Sequence, residues 1–126
     1  MINQPKDLNF NFPILPTYSR ASQSLINLFQ GPEWKHGITA TATGFYAPQS
    51  RTLRVAPVLK NKLKMLQEFE LEDSPSQITN FEMETASMYA FARLFGHNAL
   101  SMNAIIANRT ENTFSENPKG TVEKLI

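Results

Sequence analysis

An α/β layer arrangement is the fold class that this 126-residue sequence predicts, and three stretches predict it. "HGITATATGFYA" concentrates threonine, isoleucine and aromatic residues, as strands do. "QITNFEMETASMYAFARLFGH" passes from a strand-like run into apolar residues at helical spacing. "ALSMNAIIAN" is almost continuously apolar over a strand's length, the pattern of an interior strand covered on both faces.

The elements follow in order. Residues 1–20 carry Pro5, Pro13 and Pro16 and read as an irregular lead-in, with Phe12, Ile14 and Leu15 tucked onto the body. From Ser22, the apolar positions Leu25, Leu28 and Phe29 share a helix side, and Gly31 with Pro32 stops that helix. A strand over 38–46 ends before Pro48, and a polar loop with Gln49, Arg51 and Arg54 follows, the kind of segment on which binding residues sit. Leu59, Leu63 and Leu66 define an amphipathic helix that turns Lys60, Lys62 and Lys64 to solvent. "EFELED" reads as a short edge strand and "SPS" as a turn. A second central strand over 77–83 then leads into a helix with one buried stripe, Met88, Phe91, Ala92 and Phe95, stopped by Gly96. After the apolar strand, "SENPKGTVEKLI" is a loop and a final helix.

Bulk properties narrow the function classes. The length suits one domain with one core that needs no covalent staple. A net charge of +1 makes no basic field for nucleic acid or an anionic membrane, so a small, roughly neutral partner fits better. The absence of cysteine removes disulfides, thiolate zinc sites and cysteine nucleophiles. The five glycines are scattered and form no phosphate loop of either common kind. No apolar run approaches a membrane span, and the opening residues lack the order of a secretory signal, so a cytoplasmic protein is expected.

Ligands of α/β sheets gather beyond the carboxyl ends of strands, and three polar groups fall at such ends. Gln49 and Arg51 follow the first strand, Glu82 and Glu84 the second, and Arg109 the apolar one. A carboxylate offers two acceptor oxygens and matches a cis-diol; at the start of a helix, Glu84 is equally a favourable dipole partner. Met83 is either core filler or a soft surface for a sugar ring. The Gln49 amide suits an imide edge and Arg51 a carbonyl oxygen, although both residues also occur in ordinary solvated loops. Phe45 and Tyr46 either pack or stack on a base. Arg109 leaves an apolar run with its charge intact and needs a partner, a ligand or open solvent. His36 and His97 sit in a connector and just past a helix end, away from any set of clustered metal ligands.

"GITATATGFYAPQSR", "ITNFEMETASMYAFARLFGH" and "ALSMNAIIANRT", in this order and spacing, resemble the second half of the uridine phosphorylases of the nucleoside phosphorylase family. The resemblance runs from about Lys35 to the end. It implies a partial nucleoside-phosphorylase-like fold, with a central mixed sheet flanked by helices. In this reading residues 1–126 are one domain, the nucleoside-binding half. The implied activity is reversible phosphorolysis of a pyrimidine nucleoside, uridine, to uracil and ribose 1-phosphate. It needs phosphate as co-substrate and no metal or redox cofactor, and family members are hexamers built from dimers. Carried over by motif, Gln49 and Arg51 read the uracil edge with Phe45 against the ring. Glu84 holds the ribose 2′- and 3′-hydroxyls, Met83 lines the sugar and Glu82 supports nearby. Arg51 and Arg109 take the catalytic role of stabilising charge on the base. Arg109 falls where purine-specific relatives carry an aspartate, which favours the pyrimidine branch.

Family members are about twice this length, and their phosphate contacts lie in the first half. The expectation is therefore a chain that recognises base and ribose without a phosphate site. A portion of a purine or broad-specificity phosphorylase, a nucleosidase using water, and a non-catalytic nucleoside-binding module are the competing readings.

Overall fold

In the computed structural model of the chain we describe residues 18–57, 61–69 and 76–126. The lead-in through residue 17, Leu59, Lys60 and most of the expected "EFELED" strand lie outside the described residues. The elements are α1 (Gln23–Ile26), β1 (Ile38–Thr41), a 3-10 turn (Ala47–Gln49), α2 (Lys62–Gln67), β2 (Ile78–Glu82), α3 (Thr85–Phe95), β3 (Ala107–Asn108), β4 (Thr113–Phe114) and α4 (Pro118–Glu123). Helices and strands thus alternate, as in an α/β chain, up to the β3–β4 hairpin. Parallel and antiparallel pairing both occur, in separate two-stranded sheets, β1 with β2 and β3 with β4.

The parallel pair positions everything that follows. Ile38 stands opposite Ile78, but Thr39 stands opposite Asn80, so β2 carries one extra residue, Thr79. Such a bulge shifts every later pairing by one position and brings Thr41 opposite Glu82 instead of Phe81. Gly37 makes room for it: a β-carbon there would meet Thr79 Cγ2 at 2.2 Å and Thr79 Oγ1 at 2.5 Å, with Thr79 Cβ next at 2.9 Å. Beyond the bulge, Thr39 Oγ1 donates to Asn80 Oδ1 at 2.9 Å, and Ala42 N donates to the Glu82 carbonyl at 2.8 Å.

α3 runs as the sequence indicates, and it ends where Gly96 adopts the left-handed conformation at φ 70°. His97 N bonds back to the Ala92 carbonyl at 2.8 Å, which satisfies one of the last free carbonyls of the helix. The expected buried stripe is not buried. Phe91 is 60% exposed and Phe95 65%, and Met88 is exposed as well; their helical spacing is met, but no described element lies over them. Among the described residues Ala42, 6% exposed, is the one buried apolar residue.

Two other expectations are corrected. The strand over 38–46 stops at Thr41, because the chain turns away after the Ala42–Glu82 bond. "ALSMNAIIAN" is no interior strand: only Ala107 and Asn108 are paired, and Ile105 and Ile106 are exposed. Its earlier part is fastened by side chains instead, with Ser101 N donating to the Tyr89 hydroxyl at 2.8 Å and Thr85 Oγ1 to Ser101 Oγ at 3.1 Å. α1 is a single turn, held through Ser22 N to the Ala99 carbonyl at 2.9 Å. α4 forms as expected, capped by Asn117, whose side chain accepts from Gly120 N.

The bulge yields a test. Gly37→Ala should destabilise the chain by about 1–3 kcal/mol, the usual cost of overpacking, in urea unfolding followed by circular dichroism. Adding Thr79→Ala should recover most of that loss, since it removes the two nearest atoms. Equal effects of Gly37→Ala with and without Thr79→Ala would show that the contact is not what requires glycine.

Candidate active site

Beyond β1 the chain closes into the 3-10 turn, with Pro48 inside it and Ser50 in the left-handed region at φ 60°. Gln49 N and Arg51 N both donate to the Tyr46 carbonyl, at 3.0 and 2.9 Å. This tight turn rolls Gln49 inward until it is only 5% exposed, the opposite of a solvated loop residue. The buried glutamine then gathers two arginines. Arg51 Nη1 donates to Gln49 Oε1 and to the Phe45 carbonyl, each at 2.6 Å, and its guanidinium lies 3.6 Å from the Phe45 ring centre. Arg109 Nη1 donates to the Gln49 carbonyl, and its guanidinium sits 5.8 Å from the Phe81 ring centre.

Arg109 reaches this point because it opens the turn between β3 and β4. Asn108 Oδ1 accepts from Thr110 N and Glu111 N at 3.0 and 3.2 Å, and Asn112 takes the left-handed conformation at φ 53°. The arginine that leaves an apolar run thus finds a carbonyl partner. Burial, and then the charge of Arg51, hold the Arg109 pKa below its ordinary value, so the two guanidiniums feel one another. Lys62 departs from expectation too. Instead of facing solvent it donates to the Pro48 carbonyl, and burial lowers its pKa. Lys64 does face solvent, beside Glu68.

At the end of β2 the two acids divide. Glu82 Oε2 accepts from Glu84 N and Thr85 N, both at 2.6 Å, while Glu82 Oε1 accepts from the Thr41 hydroxyl. Burial alone would raise the Glu82 pKa, but hydrogen bonds from Thr41, the two amides and the Thr85 side chain outweigh it and hold the pKa below the usual carboxyl value. Glu82 is thus the carboxylate that satisfies the free amides where α3 begins. Glu84 occupies the cap position, but its side chain makes no capping bond to the helix. Among the described residues it accepts only from Met83 N, at 3.2 Å, and it stands exposed beside an exposed Met83.

Contacts therefore unite Phe45, Gln49, Arg51 and Arg109. Glu82, Met83 and Glu84 stand at the carboxyl end of the strand parallel to β1, so both groups leave the sheet at the same edge, with Phe81 beneath Arg109. Among the described residues no ion pair joins either acid to Arg51 or Arg109. An open cavity of about 370 Å³ flanks the loop, lined by Tyr46, Ala47, Arg51, Leu53, Arg54 and Val55. It shares Arg51 with the cluster and does not include Gln49, Glu84 or Arg109. No group of three or more histidine, cysteine or acidic side chains among the described residues is placed to hold a metal. The sequence reading missed Thr41 and Thr85; the available signal was a hydroxyl in the first strand-like run and another three residues after Glu82, where the helical run begins.

A family model described as the phosphorylase superfamily matches residues 3–125. A uridine phosphorylase of Thermococcus kodakarensis is 33% identical over 87 residues, which are 68% of this chain and 30% of that relative. The match therefore spans less than a third of the relative's length. No solved structure matches.

Removing the Glu82 carboxylate tests the junction. Glu82→Ala should cost about 0.5–2 kcal/mol, the range for a lost helix cap, in urea or thermal unfolding. Because the folded pKa is depressed, this stabilisation is complete above the ordinary value of 4.5 and is lost as pH falls through the lower folded value. The gap in melting temperature between the native chain and Glu82→Ala should therefore close on acidification below pH 4.5. A gap that widens there would contradict the assignment.

Proposed function

The chain belongs to the phosphorylase superfamily, and from that premise we propose that it recognises the base and ribose of uridine for phosphorolysis to uracil and ribose 1-phosphate. The observation that carries the reading is the pair of guanidiniums gathered on Gln49. Two like charges brought close are stabilised by an anion between or beside them. Phosphorolysis generates one: as the bond from the ribose anomeric carbon to the base nitrogen breaks, its electron pair passes to the base and spreads over the uracil carbonyl oxygens. A phosphate oxygen then bonds to the anomeric carbon, and the base takes up a proton. Fixed cations near those oxygens stabilise the transition state more than the neutral substrate. Arg51 and Arg109 have this catalytic role, and Gln49 and Phe45 read and cover the base. A purine leaving group calls instead for an acid at its imidazole ring, and the residue at this end is an arginine.

Glu84 takes the ribose. Its freedom from capping supports this, since both carboxylate oxygens retain acceptor capacity for the 2′- and 3′-hydroxyls. Met83 lines the sugar and Glu82 supports Glu84 from behind. The same reading makes the protein a cytoplasmic homo-oligomer, a dimer or hexamer, that uses phosphate as co-substrate and no metal or redox cofactor. No helix among the described residues is long and apolar enough to cross a membrane. As one domain, the chain is the nucleoside-binding half of the fold. That the Thermococcus kodakarensis relative is a uridine phosphorylase favours uridine over a purine nucleoside.

Calorimetry with uridine tests it. The native chain should bind uridine more tightly than 2′,3′-dideoxyuridine, and Glu84→Gln should weaken uridine by about 1.5–3 kcal/mol, the range for hydrogen bonds to charged groups. Phosphate-dependent release of uracil by the 126-residue chain alone should be negligible, because Arg51 and Arg109 are committed to the base end. Binding of inosine in preference to uridine would overturn the pyrimidine assignment. Turnover on the order of 1 per second by the purified chain would overturn the division of labour.

A further inference from the structure

We propose that Thr41 is a positioning residue for ribose recognition: its hydroxyl fastens Glu82 to the start of α3 and thereby sets where the Glu84 carboxylate stands. The inference rests on the reading of Glu84 as the acceptor for the ribose diol. Thr41 ends β1, and the one-residue bulge at Thr79 places it directly opposite Glu82. Its hydroxyl has one hydrogen, which goes to Glu82 Oε1, and a lone pair accepts from Ala86 N at 3.0 Å. Each half of the hydroxyl therefore grips a different part of the strand-to-helix junction.

The consequence for Glu84 is geometric. The terminal torsion of a glutamate side chain is soft, so one bonded oxygen does not fix a carboxylate plane. Glu82 is held at both oxygens, by Thr41 on one and by the amides of Glu84 and Thr85 on the other. The amide of Glu84 is thus tied through Glu82 to the end of a neighbouring strand. Without the Thr41 hydroxyl, Glu82 Oε1 loses this partner and Ala86 N loses its acceptor, while the sheet pairing itself is untouched. Thr41 stands behind this junction, so its effect on the sugar passes through the placement of Glu84.

The experiment compares the native chain with Thr41→Val, which keeps the shape and removes the hydroxyl, and Thr41→Ser, which keeps the hydroxyl. Dissociation constants for uridine and 2′,3′-dideoxyuridine are measured by calorimetry, with folding checked by circular dichroism. Thr41→Val should weaken uridine by about two- to tenfold, the scale of one hydrogen bond. It should leave the dideoxy ligand unchanged, and Thr41→Ser should restore native discrimination. The amide resonances of Glu84, Thr85 and Ala86 should shift in the valine variant and return in the serine one. If the native chain does not itself distinguish the two ligands, the reading of Glu84 fails and the proposal falls with it. If the native chain distinguishes them and Thr41→Val does so equally, the proposal alone fails. Equal loss of both ligands in Thr41→Val, or no rescue by serine, also overturns it. Should Thr41→Val not fold, Thr41→Ala is the second hydroxyl-free variant. If both are unfolded while Thr41→Ser is folded, the hydroxyl serves the fold as a whole and the positioning role is refuted.

Discussion

The grip of the Glu82 carboxylate on the amides of Glu84 and Thr85 is the interaction on which the rest of this structure depends. A helix that begins directly after a strand exposes free N–H groups at its first turn, and a nearby anion is their strongest partner. Charge-assisted bonds of this kind contribute roughly twice as much as neutral ones. Here the acid lies on the strand side of the junction, three residues before the helix starts, and reaches forward to it. The arrangement joins β2 to α3 across a two-residue bend, Met83 and Glu84, and Thr41 extends it to β1. It also explains why two acids stand one residue apart. One satisfies the helix, and so the other is left with an uncommitted side chain.

A second polar anchor, Gln49, does for the cations what Glu82 does for the acids. Guanidiniums repel one another, and their separate hydrogen bonds to one glutamine oppose that repulsion. The side-chain oxygen takes Arg51 and the main-chain oxygen takes Arg109, which arrives from a turn sixty residues away in sequence. Gln49 can serve both only because the 3-10 turn and the left-handed Ser50 bury it. Phe45 and Phe81 complete the enclosure by offering ring faces, which attract cations. The two guanidiniums are gathered at this end by local backbone geometry, without a large positive field, in keeping with a net charge of +1.

What was legible in the sequence is what depends on local rules. The start and stop of α3, the strand content of Ile38–Thr41 and Ile78–Glu82, and the final helix all follow from spacing, β-branching and Gly96. The families of side chains at the strand ends were legible for the same reason, as polar residues just beyond apolar runs. What was not legible depends on partners. The stripe of Met88, Phe91 and Phe95 has the period of a buried face, but period says nothing about whether an element lies opposite, and here those residues are exposed. The run through Ile105 and Ile106 has the composition of an interior strand, yet a strand exists only where neighbours pair with it. Lys62 looked solvated because a helical wheel carries no information about Pro48, whose carbonyl it meets. The bulge at Thr79 was hidden too, since Gly37 signals it only once the two strands are side by side.

These two kinds of outcome, local order and missing cover, together determine how the candidate site is held. With Ala42 as the one buried apolar residue among the described ones, hydrophobic packing supplies little of the rigidity near the strand ends. Polar ties supply it instead: Thr41 to Glu82 and Ala86, Thr85 to Ser101, Ser101 to Tyr89, Lys62 to Pro48 and Arg109 to Gln49. A single such bond contributes only about 0.5–1.5 kcal/mol net, but together these join β1, β2, α3, the stretch around Ser101, the 3-10 turn, α2 and the β3–β4 turn. Severing one therefore loosens its segments with little apolar packing behind them to compensate, whereas in a packed core adjacent side chains would still restrain them. The geometry of Glu84 and of the two arginines is thus more sensitive to the loss of a hydroxyl or a carbonyl partner than to the loss of an apolar side chain on α3. In this chain, the precision of the site is a property of its hydrogen bonds.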